Sequence, residues 1–152
     1  MKPTMTDFEK CCHGKKLVKV KYASALVQSE LDEAEHDLKS VQDSLNQSSP
    51  KWAIIQSYYS MFHAARALLL SKGLREKSHK CLCIGIRHLF VEQNLMSVRL
   101  VEDFNAAKRL REDADYKNQY DQESANTIFA SAKEFLETAQ RLLTPEVPTA
   151  PK

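Results

Sequence analysis

From Val27 the apolar residues Val27, Leu31, Ala34, Leu38, Val41 and Leu45 recur at alternating spacings of four and three, with Glu30, Asp32, Glu33, Glu35 and Asp37 between them. That period is one face of a long amphipathic helix. The run "NQSSP" interrupts it, and Ser49 with Pro50 predicts the start of a new helix, because proline at the first helical position gives up no useful N–H. From Pro50 to about Lys72 the chain is apolar around most of a helical circumference. This predicts a central helix, the most buried element of the fold. Gly73 ends it, and Ser78, after the basic loop "KGLREKSHK", caps a further helix through Leu82, Ile86, Leu89 and Phe90. Ser97 opens the next, through Val101, Phe104 and Ala107, with an end near "DADYKNQY". Asp121 or Ser124 starts the last, where Ala125, Ile128, Ala132, Phe135, Leu136 and Ala139 give the clearest period in the chain. Upstream, Thr6 with Glu9 reads as a capping box for a short helix stopping near Gly14, and "KKLVKVK" leads from it into the helix that contains Val27.

The expected fold is therefore all-α, an antiparallel up-and-down helical bundle of four long helices plus one or two short ones. Composition agrees. With three glycines and five prolines, three of them in the last eight residues, the body has no strand-and-hairpin punctuation. A chain of 152 residues that is 43% hydrophobic can close one core. The expected division is a short helix and basic segment over 1–22, the bundle over 23–143, and a disordered proline-rich tail over 144–152.

A net charge of +2 is too small to mark a dedicated nucleic-acid binder. "MKPTMTDFEK" has no apolar leader, and no run approaches the roughly 18–20 apolar residues of a membrane span, so a soluble, cytoplasmic protein is expected, with no membrane partner. The four cysteines lie as Cys11 with Cys12 and Cys81 with Cys83. Neither pair reads as a disulfide framework. Zinc at Cys11, His13, His79 and Cys81 would require two distant segments to meet without a C-x-x-C knuckle, so reduced thiols are expected, with no metal and no cofactor.

The chemistry-bearing residues lie where a core is expected. On the central helix Gln56, Tyr59, Ser60, His63 and Arg66 fall within a sector of roughly 120° at about 100° per residue. An arginine embedded there needs a carboxylate or a phosphate nearby. On the later helix Phe104, Ala107, Arg111 and Ala114 share a side, so Arg111 faces inward, with Asp115 four residues on and Tyr116 after it. Two readings follow. In one, these residues converge on a ligand site of Tyr59, His63, Arg66, His79, Arg111, Asp115 and Tyr116, with His63 and Arg111 as candidate catalytic groups. In the other, they form a satisfied structural network with Arg111 paired to Asp115.

The segments "AIIQSYYSMFHAARALLLSKG", "SHKCLCIGIRHLF" and "LREDADYKNQY", in this order, resemble the HEPN superfamily, in particular its small stand-alone branch with YYAMFHAARALL-type helices and a later R-x-x-A-D-Y. The resemblance covers about Val27 to Leu143. It implies a helical bundle, commonly a homodimer, with polar motif residues in a cleft near the subunit interface. It also implies pairing with a minimal nucleotidyltransferase, sometimes as a toxin–antitoxin couple, and binding of nucleotides or RNA. The ribonuclease members of that superfamily carry an arginine, then four to six residues, then a histidine. Here Arg109 and Arg111 are followed by Ala114, Asp115, Tyr116 and Lys117. The resemblance thus implies an accessory or binding module rather than a nuclease. Two alternatives stand beside it: a metal-independent ribonuclease toxin, with Arg111 on the phosphate and His63 or His79 moving the proton, and a purely structural dimer.

Overall fold

The structure is a computed structural model and describes residues 4–144. Six helices are present, α1 (Asp7–His13), α2 (Ala23–Asn46), α3 (Pro50–Ser71), α4 (His79–Ile86), α5 (Val98–Tyr116) and α6 (Gln122–Leu143), with two three-residue strands, β1 (Leu17–Lys19) and β2 (Leu74–Glu76). The fold is an all-α bundle, and the helix starts lie where the caps predict. Thr6, Ser78, Ser97 and Asp121 each accept a hydrogen bond from a backbone N–H of the first turn. Each satisfies a donor that the helix itself cannot.

Helix α3 is the centre, packing against α2, α4, α5, α6 and β2. Ala53, Ile54, Met61, Ala64, Leu68 and Leu69 on it are fully buried. The small residues on α2 and α6 that face it, Ala34, Ala125, Ala132 and Ala139, are equally buried and let the helices approach closely. Trp52, at the start of α3, is exposed.

Three features depart from the expected pattern. Part of the basic stretch forms β1, antiparallel to β2 with Leu17 opposite Glu76. The reason is local: Gly73, at φ 74°, turns the chain out of α3 and lays residues 74–76 beside it, while Leu17 needs the core and is buried. Second, α4 stops at Ile86 and continues as a π-helical turn over Arg87–Val91, with Glu92 N–H donating to the Arg87 carbonyl at 2.8 Å. The wider turn carries Phe90 into the core.

The third is the thiol chemistry. Cys11 and Cys81 form a disulfide, with Cα atoms 5.8 Å apart, which corrects the expectation of reduced thiols. The pairing spans 70 residues and is made by α1 packing on α4. Neighbouring cysteines in sequence carry no sign of it. The zinc alternative falls with it, because the sulfurs of Cys11 and Cys81 are bonded to each other. Cys12 and Cys83 remain free, the first exposed and the second buried. Of the expected tail, all but Thr144 lies outside the described residues. Among those residues no helix is long and apolar enough to cross a membrane.

Candidate functional site

On the polar stripe of α3, Gln56 meets Ser44 and Ser60 Oγ donates to the Ala34 carbonyl, both on α2, while His63 and Arg66 fall in one cluster and Tyr59 in a neighbouring one. In the first, His63 Nδ1 lies 2.6 Å from Glu30 Oε2 and its Nε2 3.7 Å from Asp37 Oδ2, both on α2. Arg66 Nε donates to Glu76 Oε1 at 2.7 Å, and its Nη1 lies 3.7 Å from Glu30 Oε1. Burial holds the Asp37 carboxyl above its ordinary range, with His63 opposing the shift. The Glu76 side chain is 4% exposed, so the charge that Arg66 neutralises is one the strand would otherwise bury alone. His63 and Arg66 are thus fully committed to carboxylates, as an embedded histidine and arginine require.

The second cluster surrounds Arg111. Its Nη2 donates to the Tyr59 hydroxyl at 3.0 Å. The guanidinium carbon lies 5.5 Å from the ring centroids of both Tyr58 and Tyr59 and 5.8 Å from that of Tyr116. This is a cation held by π-faces and one phenol. No carboxylate pairs with it among the described residues, and its Nε is buried without a partner. Asp115 is exposed, and among the described residues it makes no ion pair, with Arg111 or with any other cation. The satisfied network in which Asp115 neutralises Arg111 is therefore not the one that forms.

His79 joins this second cluster. Its Nε2 lies 3.1 Å from Asn105 Oδ1 and 3.4 Å from Cys83 Sγ, and its Nδ1 lies 3.3 Å from the Tyr58 hydroxyl. Asn105 Oδ1 is an acceptor, so Nε2 carries the proton and Nδ1 accepts from Tyr58. Burial lowers the His79 pKa, against the Asn105 hydrogen bond, and pushes Tyr58 up to about 12 and Cys83 up to about 11. At neutral pH all three are uncharged. The basic nitrogen of His79 is occupied by a phenol, so no general base is aimed at solvent there.

Beside His79 opens a groove of about 560 Å³ between α4 and α5, lined by Lys80, Arg87, Asn105, Lys108 and Arg109, with Asp7 of α1 at its edge. Lys108 Nζ pairs with Glu112 at 2.9 Å. Lys80, Arg87 and Arg109 have no carboxylate within ion-pair distance among the described residues. Lys108 stands one turn before Arg111, so the groove and the tyrosine-held arginine adjoin.

Of the residues singled out in sequence, the structure brings Tyr59, Arg111, Tyr116 and His79 together. His63 and Arg66 lie alongside, with Phe62 between, its ring centroid 4.6 Å from the Arg66 guanidinium and 6.5 Å from that of Tyr59. Tyr58, buried on α3, is the link between His79 and Arg111. Glu30 and Glu76 were hidden because each pairs across elements. Asn105 and Cys83 carried no signal beyond facing the helix seam.

The remaining finding is kinship. A profile of the HEPN domain matches residues 27–142. A protein of Methanocaldococcus jannaschii named "Putative toxin MJ0142" is 31% identical over 101 residues, covering 66% of this chain and 68% of its own length. A second protein of that organism, "Putative toxin MJ0605", is 26% identical over 118 residues, covering 77% of this chain and 88% of itself. "UPF0332 protein glr0978" of Gloeobacter violaceus is 29% identical over 120 residues, covering 74% and 92%. With the helical bundle and the YYSMFHAARALLL and RxxADY segments packed around one arginine, this match places the chain in the HEPN domain family.

Proposed function

We propose that this protein is a HEPN-type binding module that takes a phosphate-bearing ligand, a nucleotide or RNA, at Arg111 and the adjoining basic groove. The observation that supports this most is the missing counter-ion. Arg66, equally embedded, has Glu76 and Glu30, whereas Arg111 has only tyrosines and an unpartnered Nε. A guanidinium left in that state is matched by a phosphate oxygen brought from outside. Tyr59 and Tyr116 flank the position and supply aromatic faces for a base. His79 is a donor within the same cluster, without a base function of its own, which favours capture over cleavage.

The module acts as a homodimer and as the companion of a minimal nucleotidyltransferase, in keeping with the family resemblance. The toxin reading comes from the names of two relatives, "Putative toxin MJ0142" and "Putative toxin MJ0605".

Fluorescence anisotropy with a labelled single-stranded RNA and with labelled ATP, beside light scattering and a nuclease assay, tests the whole reading. Expected are a dimer, binding that weakens about tenfold or more in Arg111→Ala, and intact RNA. Binding unaffected by Arg111→Ala overturns the site. Robust RNA cleavage that depends on His79 replaces the module with the ribonuclease.

A further inference from the structure

Helix α1 lies outside the matched family region and carries Asp7, the one acid among the described residues that line the basic groove. Its hold on the bundle is slight. Phe8 stacks on His88 at 4.1 Å, Cys11 is its one buried residue, and the disulfide from Cys11 to Cys81 fixes it to the first turn of α4. A seven-residue helix is not stable in isolation, so its position depends on these ties. The strand that follows, β1, stays paired to β2 through Lys19 and hydrogen-bonds on either side, Lys77 N–H to the Lys16 carbonyl and Val20 N–H to the Gly73 carbonyl. Opening the disulfide would free α1 while leaving it tethered.

We infer that α1 is a redox-latched gate: with the Cys11–Cys81 disulfide closed, Asp7 is held at the edge of the basic groove and opposes an incoming phosphate, and reduction releases it. This rests on the proposed phosphate site. The step needs a dithiol reductant, small or protein-borne. One of its thiolates attacks either sulfur of Cys11–Cys81, breaking the S–S bond and forming a mixed disulfide. Its second thiol displaces the protein sulfur. The protein gains two electrons and two protons as Cys11–SH and Cys81–SH, and the dithiol leaves as a disulfide. Disulfides persist in oxidising surroundings and open in reducing ones, so the gate reads its compartment.

The full chain is tested in two states, oxidised, with two free thiols from Cys12 and Cys83, and reduced with dithiothreitol, with four. A fluorescein-labelled single-stranded RNA reports binding by anisotropy, and hydrogen exchange reports the α1 amides. Reduction should tighten binding two- to fivefold, roughly the effect of removing one partly screened charge, and speed exchange over residues 7–13. Asp7→Asn should bind in the oxidised state as tightly as reduced wild type does. The double variant Cys11→Ser, Cys81→Ser should behave as reduced whatever the buffer. If α1 exchange does not respond to reduction, or four thiols titrate even after oxidation, the latch is overturned whatever the RNA does. If α1 responds but Asp7→Asn leaves binding unchanged, the gate is overturned. Absence of RNA binding in both states, with α1 responding, defeats the phosphate reading instead and with it the gate.

Discussion

The Arg111 Nη2 donates to the Tyr59 hydroxyl at 3.0 Å, and that phenol stands where another embedded arginine of this protein has a carboxylate. A neutral acceptor orients the guanidinium without neutralising it. Arg111→Lys keeps the charge but loses the planar fork and its fit between the Tyr58, Tyr59 and Tyr116 rings. It should bind a labelled nucleotide roughly tenfold more weakly than wild type, with the thermal midpoint little changed. Wild-type affinity in the lysine variant would mean that charge alone, not the tyrosine-held geometry, matters.

The neighbouring cluster should behave as structure. Arg66→Ala leaves Glu76 buried with one oxygen already unpartnered, and it should lower stability by about 3 kcal/mol or more in urea melts. Adding Glu76→Gln should recover much of that loss, because the stranded charge is gone. His63→Ala should leave nucleotide binding within about twofold of wild type, since its ring nitrogens face Glu30 and Asp37. A large binding loss in His63→Ala would join the two clusters into one site.

The helices were legible because each announces itself locally. Thr6, Ser78, Ser97 and Asp121 cap within three residues, and the apolar period of α6 needs no partner to be seen. The strands were not, because three residues of β1 acquire meaning only from Gly73 turning β2 alongside. Arg111 was recognisable as misplaced for a surface residue, yet its partner was sought four residues on, at Asp115, and lay on another helix, at Tyr59. The same holds for Cys11 with Cys81, and for His63 with Glu30. Spacing along one helix reveals which face a residue takes; it carries no information on what the neighbouring helix presents there.

Gly85 sits where α4 crosses α3. A Cβ on it would lie 2.9 Å from Leu69 Cδ2 and 3.5 Å from Leu17 Cδ1. Leu69 is fully buried, so the side chain can yield only by leaving its rotamer or pushing the helices apart. Gly85→Ala should therefore destabilise by about 1–3 kcal/mol, and less when Leu69 is already Ala. Equal losses in both backgrounds would locate the effect elsewhere.

His79 makes the fold sensitive to acid. Burial holds the folded-state pKa of His79 below its ordinary 6.5, so between those two values the unfolded chain binds a proton that the folded chain does not. Stability then rises with pH in that window: His79's contribution is whole above about 6.5 and is lost as pH falls through the lowered folded value. Lys108 deepens the effect and Glu112 and the Asn105 hydrogen bond oppose it. Asp37 acts with the opposite sign, since a raised carboxyl pKa favours the folded state at low pH and loses that advantage as pH climbs through the raised value. Urea melts of wild type and His79→Gln across pH 5 to 8 isolate the histidine, because Asp37 is common to both. Wild type should lose more stability on acidification than the glutamine variant does, with the difference vanishing above about pH 7. Parallel curves for the two proteins would show that His79 titrates in the fold as it does in water, and would restore it as a base open to the groove.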